Sequence, residues 1–268
     1  MEKKFLDLGG KVFYGAKAEK VRIEDGKATG VAFADGREVT ADHIVSCADG
    51  YYTLKVLLDD KYTPDEYRNL FDHPERYHTF TSALVFMGVD ADIQNEFRAF
   101  EIRRDAPVFQ SGVSEDCVQL VAYGFDKKLE PAGKSVFACY YGADYDFWNA
   151  LYADREKYEA EKTKLAEDAA AVLVRRFPEA EGKIEAVDVV TPMTYKRYCN
   201  AWRGAWMSWV RDGKDVPQYH PGVFPGLENF IMAGMWTLPP GGLPGAAASG
   251  RFAAQRLCMQ NGMEFRTE

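Results

Sequence analysis

The residues best suited to chemistry lie near the end of the chain, from Gly234 to Arg251: Gly-Met-Trp-Thr-Leu-Pro-Pro-Gly-Gly-Leu-Pro-Gly-Ala-Ala-Ala-Ser-Gly-Arg. An apolar strand at 230–233 runs into this turn, and an Ala-rich helix leaves it. The first N–H groups of a helix have no intrahelical acceptor and the helix dipole is positive there, so the layout suits an anion or a cofactor. Gly241, Gly242 and Gly245 let backbone approach a ligand with no Cβ in the way. Pro244 falls in the first helical turn, and Ala246, Ala247, Ala248 and Gly250 keep one helix face small. The same residues also suit a plain tight connection with close packing, and residue types alone leave both readings open.

A second block runs over 191–209, Thr-Pro-Met-Thr-Tyr-Lys-Arg-Tyr-Cys-Asn-Ala-Trp-Arg-Gly-Ala-Trp-Met-Ser-Trp. Thr194 is expected to cap a short helix running to Asn200. Trp202, Trp206 and Trp209 recur at the i, i+4, i+7 spacing of one helical stripe. Aromatics at that spacing make flat apolar walls for a conjugated ring or an apolar substrate, and they equally make a core stripe.

Other chemistry is missing from the sequence. No G-x-S-x-G elbow, H-E-x-x-H pair, P-loop or strand-borne G-x-G-x-x-G occurs. His43, His73, His78 and His220 stand apart and read as solvated or satisfied side chains. Asp59-Asp60 and 179–181 read as solvated charge or helix ends. The net charge of -8 argues against nucleic acid as the main partner. Five scattered cysteines with no C-x-x-C pair fit a reduced, cytoplasmic protein. No stretch is apolar enough for a signal peptide or a membrane span.

The elements that must position these blocks follow from pattern. A short helix ends at Gly9-Gly10, and strands are expected at 11–14, 18–24, 28–33, 38–41 and 43–47, with Asp-Gly hairpin turns at Asp25-Gly26 and Asp35-Gly36. A helix is expected at 51–58, and another after Thr63, the expected N-cap, with Pro64 at its first position. The middle should be an antiparallel sheet (79–89, 97–102, 117–124, 135–141, 183–190). The longest helix, 153–177, should be stopped by Pro178. Its Leu165, Ala169, Val172, Leu173 and Phe177 share one side.

Three ordered blocks resemble the phytoene-desaturase-like FAD-dependent oxidoreductases, relatives of the amine oxidases. They are Leu8-Gly-Gly through Ala41-Asp-His-Ile-Val-Ser-Cys-Ala-Asp49, then Thr191-Pro-Met-Thr with Arg197-Tyr and Asn200, then Asn229-Phe-Ile-Met-Ala-Gly through Gly241-Gly-Leu-Pro-Gly-Ala-Ala-Ala-Ser-Gly-Arg251. The resemblance implies an α+β fold, an α/β remnant. It would be a partial FAD/NAD(P)-binding domain lacking the N-terminal Rossmann βαβ, with an inserted antiparallel-sheet substrate domain. FAD-binding pieces would be 1–58 and 229–268, and the substrate domain 59–228. FAD would be held by Val21 and Ala48 at the adenosine and by Gly234, Met235, Gly242, Leu243, Pro244 and Gly245 at the pyrophosphate, ribityl and flavin. Met235 stands where the family usually has an acidic residue. Thr194, Tyr195, Tyr198, Trp202 and Trp206 would border an apolar substrate that gives hydride to the flavin.

The resemblance also carries expectations about completeness and partners. With the Rossmann fingerprint absent, this chain should bind FAD weakly or not at all and should be inactive alone. Strands 43–47 and 230–233 should lack partners, and the exposed face should meet a separate Rossmann segment or a second copy. A peripheral membrane contact is a further expectation. The alternative is a non-catalytic module that binds an apolar ligand or docks to a dinucleotide-binding subunit.

Overall fold

In the computed structural model, which describes residues 1–94, 97–211 and 215–267, the chain divides into two units, residues 1–78 with 208–268 and residues 79–207. The first unit begins with helix α1 (Glu2–Asp7), none of whose residues is buried, and Gly9 ends it at φ 87°. Residues 11–14 form no strand. A strand needs a neighbour for its backbone polar groups, and here Val12, Phe13 and Tyr14 stay exposed. Strands β1 (Ala18–Glu24), β2 (Lys27–Phe33) and β3 (Glu38–Thr40) form the expected antiparallel meander. Asp25 (φ 49°) and Gly26 (φ 77°) supply the two positive φ angles of a type I′ turn. Strand β4 (Ile44–Ser46) follows, then a π-helical turn at Tyr52–Leu57 and helix α2 (Asp65–Asp72). Pro64, not Thr63, occupies the N-cap of α2. Its ψ of 147° keeps it extended, and no side chain caps the helix.

The second unit holds β5 (Thr79–Phe80), β6 (Ser82–Val89), β7 (Ala99–Gln110), β8 (Val113–Ala122) and β9 (Ser135–Gly142). Helices α3 (Tyr145–Tyr152) and α4 (Arg155–Arg176), strand β10 (Ile184–Val190) and helix α5 (Pro192–Cys199) complete it. Its antiparallel sheet has the order β10-β6-β9-β8-β7. Alternation along β6 sends Ala83, Val85, Met87 and Val89 into the core, with Leu165, Ala169, Val172 and Leu173 of α4 in the same cluster. The strand expected over 79–89 breaks at Thr81, whose hydroxyl donates to the Gly204 carbonyl (2.8 Å). The expected helix 153–177 is preceded by a second one, because two aspartates cap in succession. Asp144 accepts from the Phe147 N–H and Asp154 from the Lys157 N–H.

Strand β7 outruns its expected span by way of a bulge. Pairing moves from Arg103↔Cys117 to Val108↔Glu115, leaving 104–107 unpaired around Pro107. That bulge aims Arg104 at Asp168 on α4, in a bidentate pair of 2.9 and 2.6 Å. The Tyr141 hydroxyl donates to the same carboxylate (2.9 Å). Burial, then the neighbouring Cys139 and Asp168, raise the Tyr141 pKa, so the phenol stays a donor.

Strand β11 (Met207–Trp209) ends the excursion, and β12 (Phe230–Met232) and helix α6 (Gly242–Gln260) close the first unit. Contrary to expectation, β4 and β12 do not lack partners. They pair with each other in parallel, Phe230↔Ile44 through Met232↔Ser46. All three residues of β12 are buried, as an apolar parallel strand requires. In the same unit Tyr67, Phe71, Trp209, Trp236 and His220 form an aromatic cluster, with the Trp209 and Trp236 rings 4.8 Å apart and edge-on.

Candidate functional site

The turn into α6 is built from glycine conformations that other residues resist. Gly234 has φ 116°, Gly241 φ 88° and Gly242 φ 73°. A Cβ on Gly241 would collide with Met235, whereas one on Gly234 would meet nothing nearer than the Cys47 carbonyl at 4.0 Å and one on Gly250 nothing within 4 Å. Space therefore lies open beside Gly234 and Gly250. Helix α6 begins at Gly242 rather than Pro244, with Gly241 at its N-cap and no side-chain cap. The first-turn N–H groups of Gly242 and Leu243 have no intrahelical acceptor. Leu243 is 89% exposed, and Pro244 is exposed beside it.

The carbonyls of the turn are occupied from within the first unit. Gly234 accepts from the Thr237 hydroxyl (2.9 Å), Met235 from the Ser208 hydroxyl (3.3 Å) and Trp236 from the Tyr67 hydroxyl (2.5 Å). Thr237 accepts from the His220 N–H (2.9 Å) and Pro240 from the Ser208 N–H (2.8 Å). Ser249, on the second turn of α6, accepts from the Gly234 N–H and donates to the Ala246 carbonyl, both at 2.7 Å. Tyr67, Ser208, His220, Thr237 and Ser249 are all buried. Burial pushes the His220 imidazole down to about 4. Its Nδ1 accepts from the Gly222 N–H (3.0 Å), which agrees with a neutral ring. Sequence reasoning found the glycines but not these donors. Only Ser249, a lone hydroxyl in a run of alanines, carries a local signal.

Val21 and Ala48 take different positions in the first unit. Val21 is buried at 3% in the middle of β1, beside a cavity of about 390 Å³ lined by Lys20, Leu57, Leu58 and Tyr62 among others. Ala48 is exposed just past the end of β4, and the Gly234 turn lies past the end of the paired β12.

In the second unit the structure corrects two expectations. Thr191, not Thr194, caps α5, and Thr194 is its reciprocal partner in a capping box, accepting from the Thr191 N–H (3.1 Å). The three tryptophans form no helical stripe. Positive φ at Asn200 and Arg203 (both 50°) breaks the chain into a single 3₁₀ turn at Trp202–Gly204, and Trp209 lies in a strand. Gly204 (φ 61°) packs so closely on Pro192 that no Cβ fits. Thr194 and Tyr198 line a cavity of about 220 Å³ with Tyr152, Tyr158, Met193 and Arg197, whereas Tyr195, Trp202 and Trp206 do not. Tyr198 is 74% exposed and Trp206 43%. Trp206 packs on Phe80 (5.9 Å between rings). Tyr195 reaches Ser82 (3.4 Å) at the start of β6, with its pKa raised by burial.

That last contact marks a surface the sequence did not reveal. Leu84 and Phe86 of β6, Tyr140 of β9 and Val121 of β8 are half-buried beside strand neighbours that fill the core. Leu84 pairs with Tyr140. Tyr123 joins through its hydroxyl to Tyr140 (3.2 Å) and its ring to Phe86 (6.4 Å). Burial, then Tyr123, pushes the Tyr140 phenol up to about 12. One sheet face is thus apolar and aromatic with a few neutral hydroxyls. Among the described residues no cluster of His, Cys, Asp and Glu could hold a metal, no helix is long and apolar enough to cross a membrane, and all five cysteines are free.

The first unit thus carries an uncapped helix N-terminus after a parallel strand, the second a half-apolar antiparallel sheet, and comparison with known proteins gives the family. Residues 1–258 match the flavin-containing amine oxidoreductases, and the chain belongs to that family. It is 26% identical to the chloroplastic prolycopene isomerase of Arabidopsis thaliana over 267 residues, covering 97% of this chain and 43% of that protein. It is 27% identical to hydroxyneurosporene desaturase of Rubrivivax gelatinosus over 266 residues, 93% of this chain and 47% of that one. The chain thus spans less than half of these relatives. A cofactor-binding variant of putrescine oxidase shares the fold at TM-score 0.59 and 12% identity, over 95% of this chain and 51% of that one. FAD is the cofactor of this family. The turn suits it: the Gly234, Met235, Trp236, Thr237 and Pro240 carbonyls are taken by protein donors, the first N–H groups of α6 have no intrahelical acceptor, and open space lies beside Gly234 and Gly250. Met235 brings no carboxylate.

Proposed function

We propose that this chain supplies part of an FAD-dependent oxidoreductase of dehydrogenase or desaturase type acting on an apolar substrate. The observation that carries the reading is the uncapped, donor-presenting turn from Gly234 into α6. Gly234, Met235, Gly242, Leu243, Pro244 and Gly245 would lie along the ribityl and the pyrimidine edge of the flavin, with Val21 and Ala48 toward the adenosine. When bound, FAD would accept a hydride, and with it both electrons, from the substrate. The chain's own part is to orient it and, through the N–H groups and dipole of α6, to favour negative charge on it. The named relatives act on prolycopene and hydroxyneurosporene, and the half-buried face of Leu84, Phe86, Tyr123 and Tyr140, with Thr194, Tyr195 and Tyr198, has the apolar, aromatic character that a polyene would select.

Met235 favours a second reading, an apolar-ligand module that docks to a dinucleotide-binding subunit, because it removes the acidic ribityl contact. Titrating FAD into the purified chain and recording the visible spectrum separates the two. Weak binding that Gly241→Ala reduces by about tenfold or more, as expected when a Cβ is forced into a positive-φ position against Met235, supports the flavin reading. Uptake of a polyene with no flavin signal, or binding indifferent to Gly241→Ala, favours the module.

A further inference from the structure

The donors that hold the turn all come from the first unit, and one reaches it from far along the chain. Tyr67 sits on the first turn of α2, wholly buried, and its hydroxyl donates to the Trp236 carbonyl at 2.5 Å, 169 residues away. Its ring is fixed on both sides, edge-on to Trp209 (5.4 Å) and to His220 (5.0 Å). The phenol cannot rotate away without disturbing that cluster, and burial holds its proton in place. The neighbouring carbonyls are taken by Thr237, Ser208 and His220. Trp236 is the carbonyl at the centre of this 3₁₀ turn, and Tyr67 supplies its side-chain donor.

We infer that Tyr67 is a positioning residue for the flavin-facing turn: by holding the Trp236 carbonyl it keeps that negative end from the side where the N–H groups of α6 would meet the cofactor. The inference rests on the flavin reading above. A carbonyl released from Tyr67 would turn its negative end toward a ligand that α6 is arranged to hold as an anion. Loss of the hydroxyl should therefore weaken the hold on negatively charged flavin more than on neutral flavin. A merely structural role for Tyr67 would weaken both alike.

The test is Tyr67→Phe in the full chain, with two readouts. Amide hydrogen exchange without ligand should quicken by about tenfold or more across 234–243, the expected effect of losing one buried hydrogen bond, with α4 unchanged. Titrations with oxidised FAD and with dithionite-reduced FAD should show a loss of affinity about tenfold larger for the reduced form. Unchanged exchange at 234–243, acceleration spread equally over both units, or equal losses for both forms of FAD would overturn the inference. If the unaltered chain takes up neither form even at millimolar FAD, the flavin reading fails, and the exchange result still decides whether Tyr67 sets the turn.

Discussion

The second unit closes its own core, whereas the first leaves its most elaborate backbone open to solvent. In the second, five antiparallel strands bury Val85, Met87, Val118, Leu120 and Phe137 with Leu165 and Leu173 of α4. A half-buried ion pair, Arg104–Asp168, ties the β7 bulge to that helix. In the first, the parallel pair β4–β12 has only two strands, Val45 is 39% exposed, and α6 starts uncapped under an exposed Leu243. Parallel strands are ordinarily covered on both faces. The difference sets a region whose side chains fill its own core against one that presents backbone at a turn. Tyr67, Ser208, His220, Thr237 and Ser249 fasten the turn, yet Gly234 presents backbone to open space.

The largest effect should come from the self-sufficient unit. Asp168→Ala leaves the Arg104 guanidinium, 11% exposed, without its carboxylate and frees the Tyr141 hydroxyl. Removing one partner of a fully buried pair costs about 3–5 kcal/mol, and this half-buried one should sit at the lower end, at about 3 kcal/mol. Urea unfolding followed by far-UV circular dichroism should show that loss. A cost under about 1 kcal/mol, the value of an exposed pair, would mean that the bulge can relax and that the second unit is less closed than described.

A smaller effect, of different character, belongs to the first unit. His220 titrates near 4 in the folded chain against 6.5 in the ordinary case, because burial disfavours its charged form. The unfolded chain therefore takes up a proton in that window while the folded one does not, so stability is complete above pH 6.5 and falls as pH drops toward 4. The loss over the window is about 3 kcal/mol at most, at roughly 1.4 kcal/mol per pH unit. Denaturation midpoints measured by tryptophan fluorescence between pH 7 and pH 4.5 should show the drop, and His220→Gln should flatten the part that this residue contributes. An unchanged slope in the variant would show that the imidazole does not carry it.

How much of this could be read in the sequence depends on how local each cause is. The meander was legible because Asp25-Gly26 specifies its own turn. The strand–turn–helix at 230–250 was legible because its glycines and prolines are consecutive. Helix α3 was not: its aromatic sequence after a strand gives little helical signal, and it depends on the Asp144 cap. The tryptophan spacing pointed to a helix that the backbone at Asn200 and Arg203 rejects in favour of packing Gly204 on Pro192. The clamp on the turn was hidden for a different reason. Tyr67 and Trp236 meet only once α2 and β12 are in place, and no pattern within either segment announces the other. Arg104 and Asp168, 64 residues apart, are the same case in the second unit.

The measurement that tests the central claim most directly is amide hydrogen exchange across the whole chain with and without millimolar FAD. Protection is expected at 18–24, 44–48 and 234–249 of the first unit, strongest at Gly241, Gly242 and Leu243, with α4 and the core strands of the second unit unchanged. Absence of protection at 234–249, or protection confined to the second unit, would contradict the assignment of this turn as a wall of the flavin site.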